Sequence, residues 1–273
     1  MRINRMLKQM LGLVALTGAL WLVFLYGRVL TSPMLFVAWL IASMLLGMGL
    51  WQRAKIRRRV WLAAYLQPES SAFRLLRGGV LMALGQGLVA IVMSLYLLLA
   101  VLRLEANWQW SALLCAAVAL PIGALILARL LQAQVQAGFR EELGLRLALN
   151  LLSGVLLLFF VWQALGAQYS DFREASIDQA VWYAVSGEQA RSPVLLMLLE
   201  MAAASDALQA WLAQRLLPTP GSSVWQAAGW CIVLAREALF VWSYLLLCRG
   251  ALALPLLLQR SPATSTEEPH GLR

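Results

Sequence analysis

The sequence predicts an all-α, polytopic membrane protein: a bundle of about six transmembrane helices with additional amphipathic or interfacial helices. Of its 273 residues, 62% are hydrophobic and only 13% are charged, whereas soluble domains contain ~45–50% apolar and ~25% charged residues. Apolar runs recur along the chain at about the 20-residue length that a helix needs to cross the hydrocarbon core. So little polar surface cannot cover so many apolar side chains in water. Lipid is therefore the expected solvent for most of the chain.

Six apolar segments are long enough to be spanning helices, and together they predict one transmembrane domain over residues 1–248. They cover residues 10–30, 34–51, 79–102, 110–130, 148–166 and 225–247. Basic Arg2, Arg5 and Lys8 precede the first segment, and no clear cleavage site follows it, which favours an uncleaved signal anchor. The C-terminal tail, 249–273, begins apolar and ends in a Ser, Thr, Pro and Glu-rich stretch that is predicted to be disordered.

Three stretches lie between the predicted spans. Residues 60–77 are expected to be interfacial, and the polar link 131–147 is expected to form an amphipathic helix. Residues 167–223 form the sizeable extracytoplasmic helical region. Its second part, 193–217, is apolar enough for a seventh span, but its polar side chains scatter around the helix instead of lining one face. A helix packed against the bundle, or partly sunk in the interface, fits this pattern better, and the choice between six and seven spans stays open.

The distribution of basic residues predicts a multi-pass protein of the cell inner membrane with a cytoplasmic N-terminus. With six spans, sixteen of the 22 Lys and Arg residues fall on the side of the N-terminus, five on the opposite side and one inside a span. An excess of basic residues marks the cytoplasmic side, and tryptophans near both predicted interfaces agree with this layout. The densest group is a basic cytoplasmic loop after the second span, made of Arg53, Lys55, Arg57, Arg58 and Arg59.

The adjacent charges Arg236 and Glu237 fall inside the last predicted span. A charge at the centre of a bilayer costs ~2.5–3.5 kcal/mol or more, so such a residue is expected to have a partner and often a function. The two lie about 100° apart on a helix, so we expect them to look toward different neighbours. An ion or proton path, or pairing with another subunit, is one hypothesis. A structural anchor, or a span shifted to 238–257, is the other. The candidate partners in the chain are Arg28, Gln86, Ser94, Ser153 and Gln163.

The third span carries a stripe of small residues, Gly79, Ala83 and Gly87, at i, i+4 and i+8. Small residues at this spacing let two helices approach closely in lipid. The stripe therefore predicts helix packing, within the chain or with a partner. In the fourth span Pro121, followed by Gly123, is expected to produce a kink, which can line a cavity but more often only shapes packing.

The sequence contains no catalytic, cofactor-binding, metal-binding or nucleotide-binding signature. The single histidine, His270, lies in the C-terminal tail, which argues against intramembrane zinc sites and Ser–His dyads. Asp171, Glu174 and Asp178 share one face of a helix, and a solvated helix face explains them more simply than an acid pair. Membrane topology explains the net charge of +9, so nucleic-acid binding is not expected.

Three hypotheses for function follow. The first is a non-catalytic integral subunit, or an assembly or accessory factor, of a larger bacterial inner-membrane complex, with the lipid bilayer and other membrane-protein subunits as partners. The alternative is a small solute or ion transporter or channel component that uses the Arg236–Glu237 pair, although the two halves show no inverted repeat. A membrane enzyme acting on lipid-linked substrates would need a positioned acid or base, which the sequence does not reveal. The substrate stays unknown.

Overall fold

The computed structural model describes residues 2–65, 80–104, 107–136, 139–166, 172, 174–216 and 223–258. These residues are almost entirely helical and contain no strand. Seven helices among them are long and apolar enough to cross a membrane. Six of the seven correspond to the predicted spans, and the seventh is the segment after residue 193. The predicted all-α, polytopic membrane bundle is therefore confirmed.

Eight helices of the described residues build the molecule, joined by short connections and one 3-10 turn. In chain order they are α1 (Arg2–Tyr26), α2 (Ser32–Tyr65), α3 (Val80–Leu102), α4 (Asn107–Leu130), the 3-10 turn Leu131–Ala133, α5 (Arg140–Gly166), α6 (Ile177–Ser186), α7 (Pro193–Leu216) and α8 (Ser223–Leu258). The predicted spans are α1 to α5 and α8. Because α1 begins and α8 ends on the same side of the bundle, we call that side the N-terminal side and the other the distal side.

Helix α2 extends well beyond its predicted end at residue 51. Its backbone is helical through all five basic residues and on to Tyr65, so the predicted basic loop is wrong: this segment belongs to a helix. Arg and Lys are good helix formers. The charged residues mark the end of the apolar part of α2, but the helical backbone continues beyond them. The first part of the predicted interfacial stretch is therefore helical, and residues 66–79 lie outside the described residues.

Two further boundaries differ for the same reason. The predicted amphipathic helix at 131–147 is a 3-10 turn followed by the first turns of α5, which begins at Arg140. Glu141 and Glu142 in that first turn complement the helix macrodipole. Helix α8 continues to Leu258, so the tail does not begin at residue 249. Residues 259–273 lie outside the described residues.

Helix α8 is the centre of the bundle. In the 18-residue apolar window of its candidate span Leu234–Leu254, 67% of the residues are buried, against at most 33% in the corresponding window of any other candidate span. It contacts α1, α2, α3, α5 and α7. The Tyr244 hydroxyl donates a hydrogen bond to the Leu113 carbonyl of α4 (2.8 Å) and lies 2.9 Å from the Thr17 hydroxyl of α1. A buried polar group is thereby satisfied while it joins three helices.

Helices α2 and α8 approach most closely at two glycines, Gly49 and Gly250. A Cβ atom on Gly49 would lie 2.6 Å from the Leu246 carbonyl oxygen, and a Cβ atom on Gly250 would overlap the backbone of Leu45. Neither position therefore has room for a side chain. Small residues of this kind let membrane helices pack backbone against backbone.

Helix α7 packs against the distal ends of the bundle helices through one face. Its buried residues recur every four positions, which places them on a single side of the helix. They are Leu195, Leu199, Ala203 and Ala207. The first two form a cluster with Leu102 at the end of α3, and partly buried residues of α1 and α2 pack against that cluster. Helix α7 thus contacts the distal ends of α1, α2 and α3.

Helix α7 is long and apolar enough to cross a membrane, but its contacts at two separated points are both with the distal side of the bundle. Its N-terminal end is at the distal side, because the Ser192 hydroxyl lies 2.7 Å from the Ser32 hydroxyl at the start of α2. Asp206, about 21 Å further along the helix at 1.5 Å per residue, lies 3.1 Å from Arg103 at the end of α3, again on the distal side. A crossing helix would have passed the middle of the ~30 Å hydrocarbon core over that length. The contacts therefore favour six crossings, with α7 lying across the distal side.

Replacing Gly250 with Ala is expected to lower the midpoint of thermal unfolding in detergent. The added Cβ overlaps the α2 backbone, and overpacking of this kind costs ~1–3 kcal/mol. The matched control is Gly154→Ala in α5, where a Cβ meets nothing within 4 Å. Equal midpoints for the two variants would contradict the close α2–α8 contact.

The six-crossing topology predicts that residue 260 is on the opposite side of the membrane from residues 107 and 180. Reporter fusions whose activity depends on the side of the membrane measure this directly. The fusion after residue 107 is the internal control for the distal side. A signal from residue 260 that matches residue 180 would mean that α7 crosses.

Candidate functional site

A cluster of charged side chains from three elements lies at the distal side of the bundle. Asp206 of α7 stands between two guanidinium groups, with its Oδ2 3.1 Å from Arg103 Nη1 and its Oδ1 3.2 Å from Arg236 Nη1 of α8. The Arg103 contact is an ion pair without hydrogen-bond alignment. Glu237 joins the cluster, since its Oε1 lies 3.7 Å from Arg236 Nε. We call Arg103, Asp206, Arg236 and Glu237 the distal charge cluster.

Two arginines and two carboxylates make the distal charge cluster formally neutral. The side chains are 15–38% exposed, so the cluster is half-buried at the edge of the membrane. The Tyr96 hydroxyl of α3 donates a hydrogen bond to the Arg236 carbonyl at 3.0 Å. The ion pairs compensate charges whose partial burial would otherwise be costly. Helices α3, α7 and α8 are held together at this point.

The Arg236–Glu237 pair has the depth that the shifted-span alternative describes. The spanning part of α8 begins at Leu234, so the pair lies in its first turn and not in the middle of a span. The two side chains also approach each other, so the expectation that they look only toward different neighbours is wrong. Adjacent long side chains can converge because their stems are flexible, and in this structure the Arg236 guanidinium lies close to two carboxylates, Glu237 and Asp206.

Three of the five residues predicted from the sequence as partners of the pair have other partners, and no described contact of Gln86 or Ser153 bears on the prediction. Ser94 is bonded to Ser43, Gln163 accepts from Gln109, and Arg28 pairs with Glu188. Ser153 lines a cavity on the N-terminal side. Asp206 escaped prediction because it lies in the segment whose place was left open. The available signal was an acidic residue in a helix apolar enough to enter the membrane.

The small-residue stripe of α3 does not coincide with the close helix contact. Gly79 lies outside the described residues, Ala83 is half-buried, and a Cβ atom on Gly87 would meet nothing within 4 Å. Close approaches occur at other glycines, among them Gly49 and Gly250 between α2 and α8 and Gly144 between α5 and α4. Packing of the stripe against a partner stays a prediction.

A second buried charge, Arg249, lies near the other end of the spanning part of α8. The residue is only 3% exposed, and its Nη2 donates to Glu142 Oε1 of α5 at 2.5 Å. Its Nε is buried without a hydrogen-bond partner. The sequence analysis placed Arg249 at the start of the tail, which is wrong because α8 continues past it. This contact with the start of α5 also places the end of α8 on the N-terminal side.

Two cavities on the N-terminal side share Arg249 in their walls. The larger has a volume of about 310 Å³ and is lined by polar residues including Gln9, Gln52, Arg129 and Glu142. Pro121 of α4 is in its wall, so the proline does line a cavity. The smaller has a volume of about 210 Å³, and we call it the arginine groove. Its lining residues are Arg53, Arg146, Leu149, Asn150, Ser153, Trp242, Leu245, Leu246 and Arg249.

No protein-family model, no curated protein and no solved structure matches this chain. Among the residues that the structure describes, no group of three or more His, Cys, Asp or Glu side chains could hold a metal ion. The chemistry on which a function can be argued is therefore that of the charged clusters and of the surfaces around them.

Replacing Asp206 with Asn is expected to destabilise the chain by about 1–3 kcal/mol, between the values for exposed and fully buried ion pairs. The loss leaves Arg103 and Arg236 facing each other with only Glu237 to balance them. The measurement is the unfolding midpoint in detergent. Glu200→Gln, another acidic substitution on α7, is the matched control and is expected to have little effect. If a second change, Arg103→Gln, restores no stability to Asp206→Asn, the charge-balance explanation is refuted.

Proposed function

We propose that this chain is a non-catalytic integral subunit or accessory factor of a larger complex in the bacterial inner membrane, with its N-terminus in the cytoplasm. The observation that carries the proposal is the apolar outer face of α7 on the distal side. The partner of this chain is a second membrane protein, and an extracytoplasmic segment of that partner covers the apolar face of α7. The excess of basic residues on the N-terminal side supports the orientation.

Helix α7 is apolar on two opposite faces. Val194, Met197, Met201 and Leu208 are 39–62% exposed and lie opposite the residues that pack on the bundle. This second face lies opposite the contacts of α7 with the bundle, and the described part of the chain leaves it exposed. A contiguous apolar surface in water is typical of a protein–protein interface. Methionine in particular is common on adaptable binding surfaces.

Helix α6 adds exposed aromatic residues beside α7. It packs against α7 and exposes Trp182 and Tyr183; aromatic residues are enriched at the centres of interfaces. The Trp211 ring nitrogen of α7 donates to the Ala175 carbonyl before α6 at 2.9 Å, and a capping box on Ser176 begins α6. The surface is therefore built on two joined helices. We call Trp182, Tyr183, Val194, Met197, Met201 and Leu208 the distal apolar face.

The charges inside the bundle support a structural role. Asp206 and Glu237 compensate two arginines at the distal side, and Glu142 compensates Arg249 at the N-terminal side. Ion pairs of this kind hold helices in register. They weigh against the alternative in which Arg236 and Glu237 carry an ion or solute, because both groups already have partners in the chain.

Replacing Met197 and Met201 together with Ala is expected to weaken association with the partner by at least about tenfold, because central apolar contacts carry most of the energy of an interface. The measurement is native electrophoresis of membranes solubilised in a mild detergent, with the unfolding midpoint as a check on folding. The matched control is Met44→Ala, at a methionine 63% exposed on the spanning part of α2. Migration of the wild-type chain as a monomer, or an assembly that survives the double change, would refute the proposal.

A further inference from the structure

The arginine groove is an elongated cavity with α8 as its floor. Arg53 of α2 forms one wall, residues of α5 form the other, and Trp242 to Arg249 of α8 lie between them. Both α2 and α5 pack on α8. The groove therefore runs along the bundle surface on the N-terminal side, between two helices that α8 separates.

The residues that line the groove make it positive. Three are arginines (Arg53, Arg146 and Arg249), and none of the described lining residues is a carboxylate. Glu142 pairs with Arg249 from the side of the larger cavity. Even with that pair counted, positive charge at the groove exceeds negative charge. Such an arrangement favours an anion.

Two of these arginines contain buried N–H groups without an acceptor. The Nε atoms of Arg146 and Arg249 are both buried and unpaired in the described part of the chain, and Arg249 is 97% buried as a residue. Native proteins satisfy the great majority of buried donors. Because the groove borders both side chains, a small rotation of either guanidinium group would turn an N–H toward an oxyanion bound in it. Phosphate suits this role since guanidinium groups match its oxygens in geometry and charge.

The groove also changes character with depth. Arg146 and Arg249 lie toward the N-terminal side, whereas Ser153 and Trp242 lie seven residues further along their helices, about 10 Å deeper into the bundle at 1.5 Å per residue. Trp242 is 44% exposed, so it presents apolar surface at the level where acyl chains lie. A charged end at the interface and an apolar end below it match the two parts of a phospholipid. Basic pockets between membrane helices are a known mode of binding anionic head groups.

We propose that the arginine groove binds an anionic phospholipid. Its phosphate accepts hydrogen bonds from Arg146 and Arg249, and an acyl chain lies against Trp242. The bound lipid holds α2 and α5 against α8 on the N-terminal side. The site is separate from the distal apolar face and does not depend on the partner proposed there.

The test uses the full chain, purified in a nonionic detergent and stripped of lipid. Phosphatidylglycerol is expected to raise the unfolding midpoint and to stay bound in native mass spectrometry, whereas phosphatidylcholine is expected to do neither. Arg146→Gln is expected to weaken phosphatidylglycerol binding by about tenfold, the loss of one charge-assisted contact. Arg129→Gln is the matched control, because it removes the same charge on the same side but from the larger cavity.

Other outcomes overturn the proposal. Unchanged binding to Arg146→Gln, or an equal loss with Arg129→Gln, would mean that lipid is attracted only by a basic surface. Inorganic phosphate separates the two sources of the anion: stabilisation by phosphate alone, equal to that by phosphatidylglycerol, would replace the lipid with a soluble phosphate compound. Trp242→Ala provides a second variant that keeps all three arginines. It is expected to weaken binding of the lipid, and unchanged lipid binding in this variant would also refute the acyl-chain contact.

Discussion

The central helix α8 carries a buried or half-buried arginine near each end of its spanning part, and the rest of the structure depends on how these charges are compensated. Arg236 and Arg249 are thirteen residues apart, about 20 Å along a helix, which is less than the ~30 Å hydrocarbon core. Neither charge can lie deep in lipid without a partner. Asp206 of α7 and Glu142 of α5 are those partners, and together they define the depth of α8.

The depth of α8 determines the other features of the bundle. Gly250 packs against α2 at Gly49, and Tyr244 contacts both α1 and α4. Both sets of contacts require one position of α8 along its axis. On the distal side the ion pair of Arg236 with Asp206 holds α7 across the ends of the other helices, with the distal apolar face opposite its bundle contacts. On the N-terminal side Arg249 is shared between the two cavities. The distal apolar face and the arginine groove are thus both consequences of one buried helix.

Sequence reasoning found the spans more reliably than the helix ends. Hydropathy reports where a segment suits lipid, but a helix continues wherever its backbone can keep hydrogen bonding. Helix α2 therefore continues through its basic residues to Tyr65, and α8 carries Arg249 inside the core instead of in a tail. The same reasoning identified Arg236 and Glu237 as charges that need compensation. It did not connect Asp206 with this pair, because an acidic residue in an apolar helix indicates a need for a partner but not which helix supplies it.

The sequence by itself determined that this is a multi-pass membrane protein and located six of its helices that are long and apolar enough to cross, because transfer into the bilayer depends on the summed hydrophobicity of each segment. The tertiary structure alone decided the place of α7, the burial of Arg249 and the glycine contact between α2 and α8. These features depend on which helices are neighbours. A 24-residue apolar helix such as α7 can span a membrane or lie across a bundle. Its contacts with Ser32 and Arg103 at one side of the molecule separate the two cases.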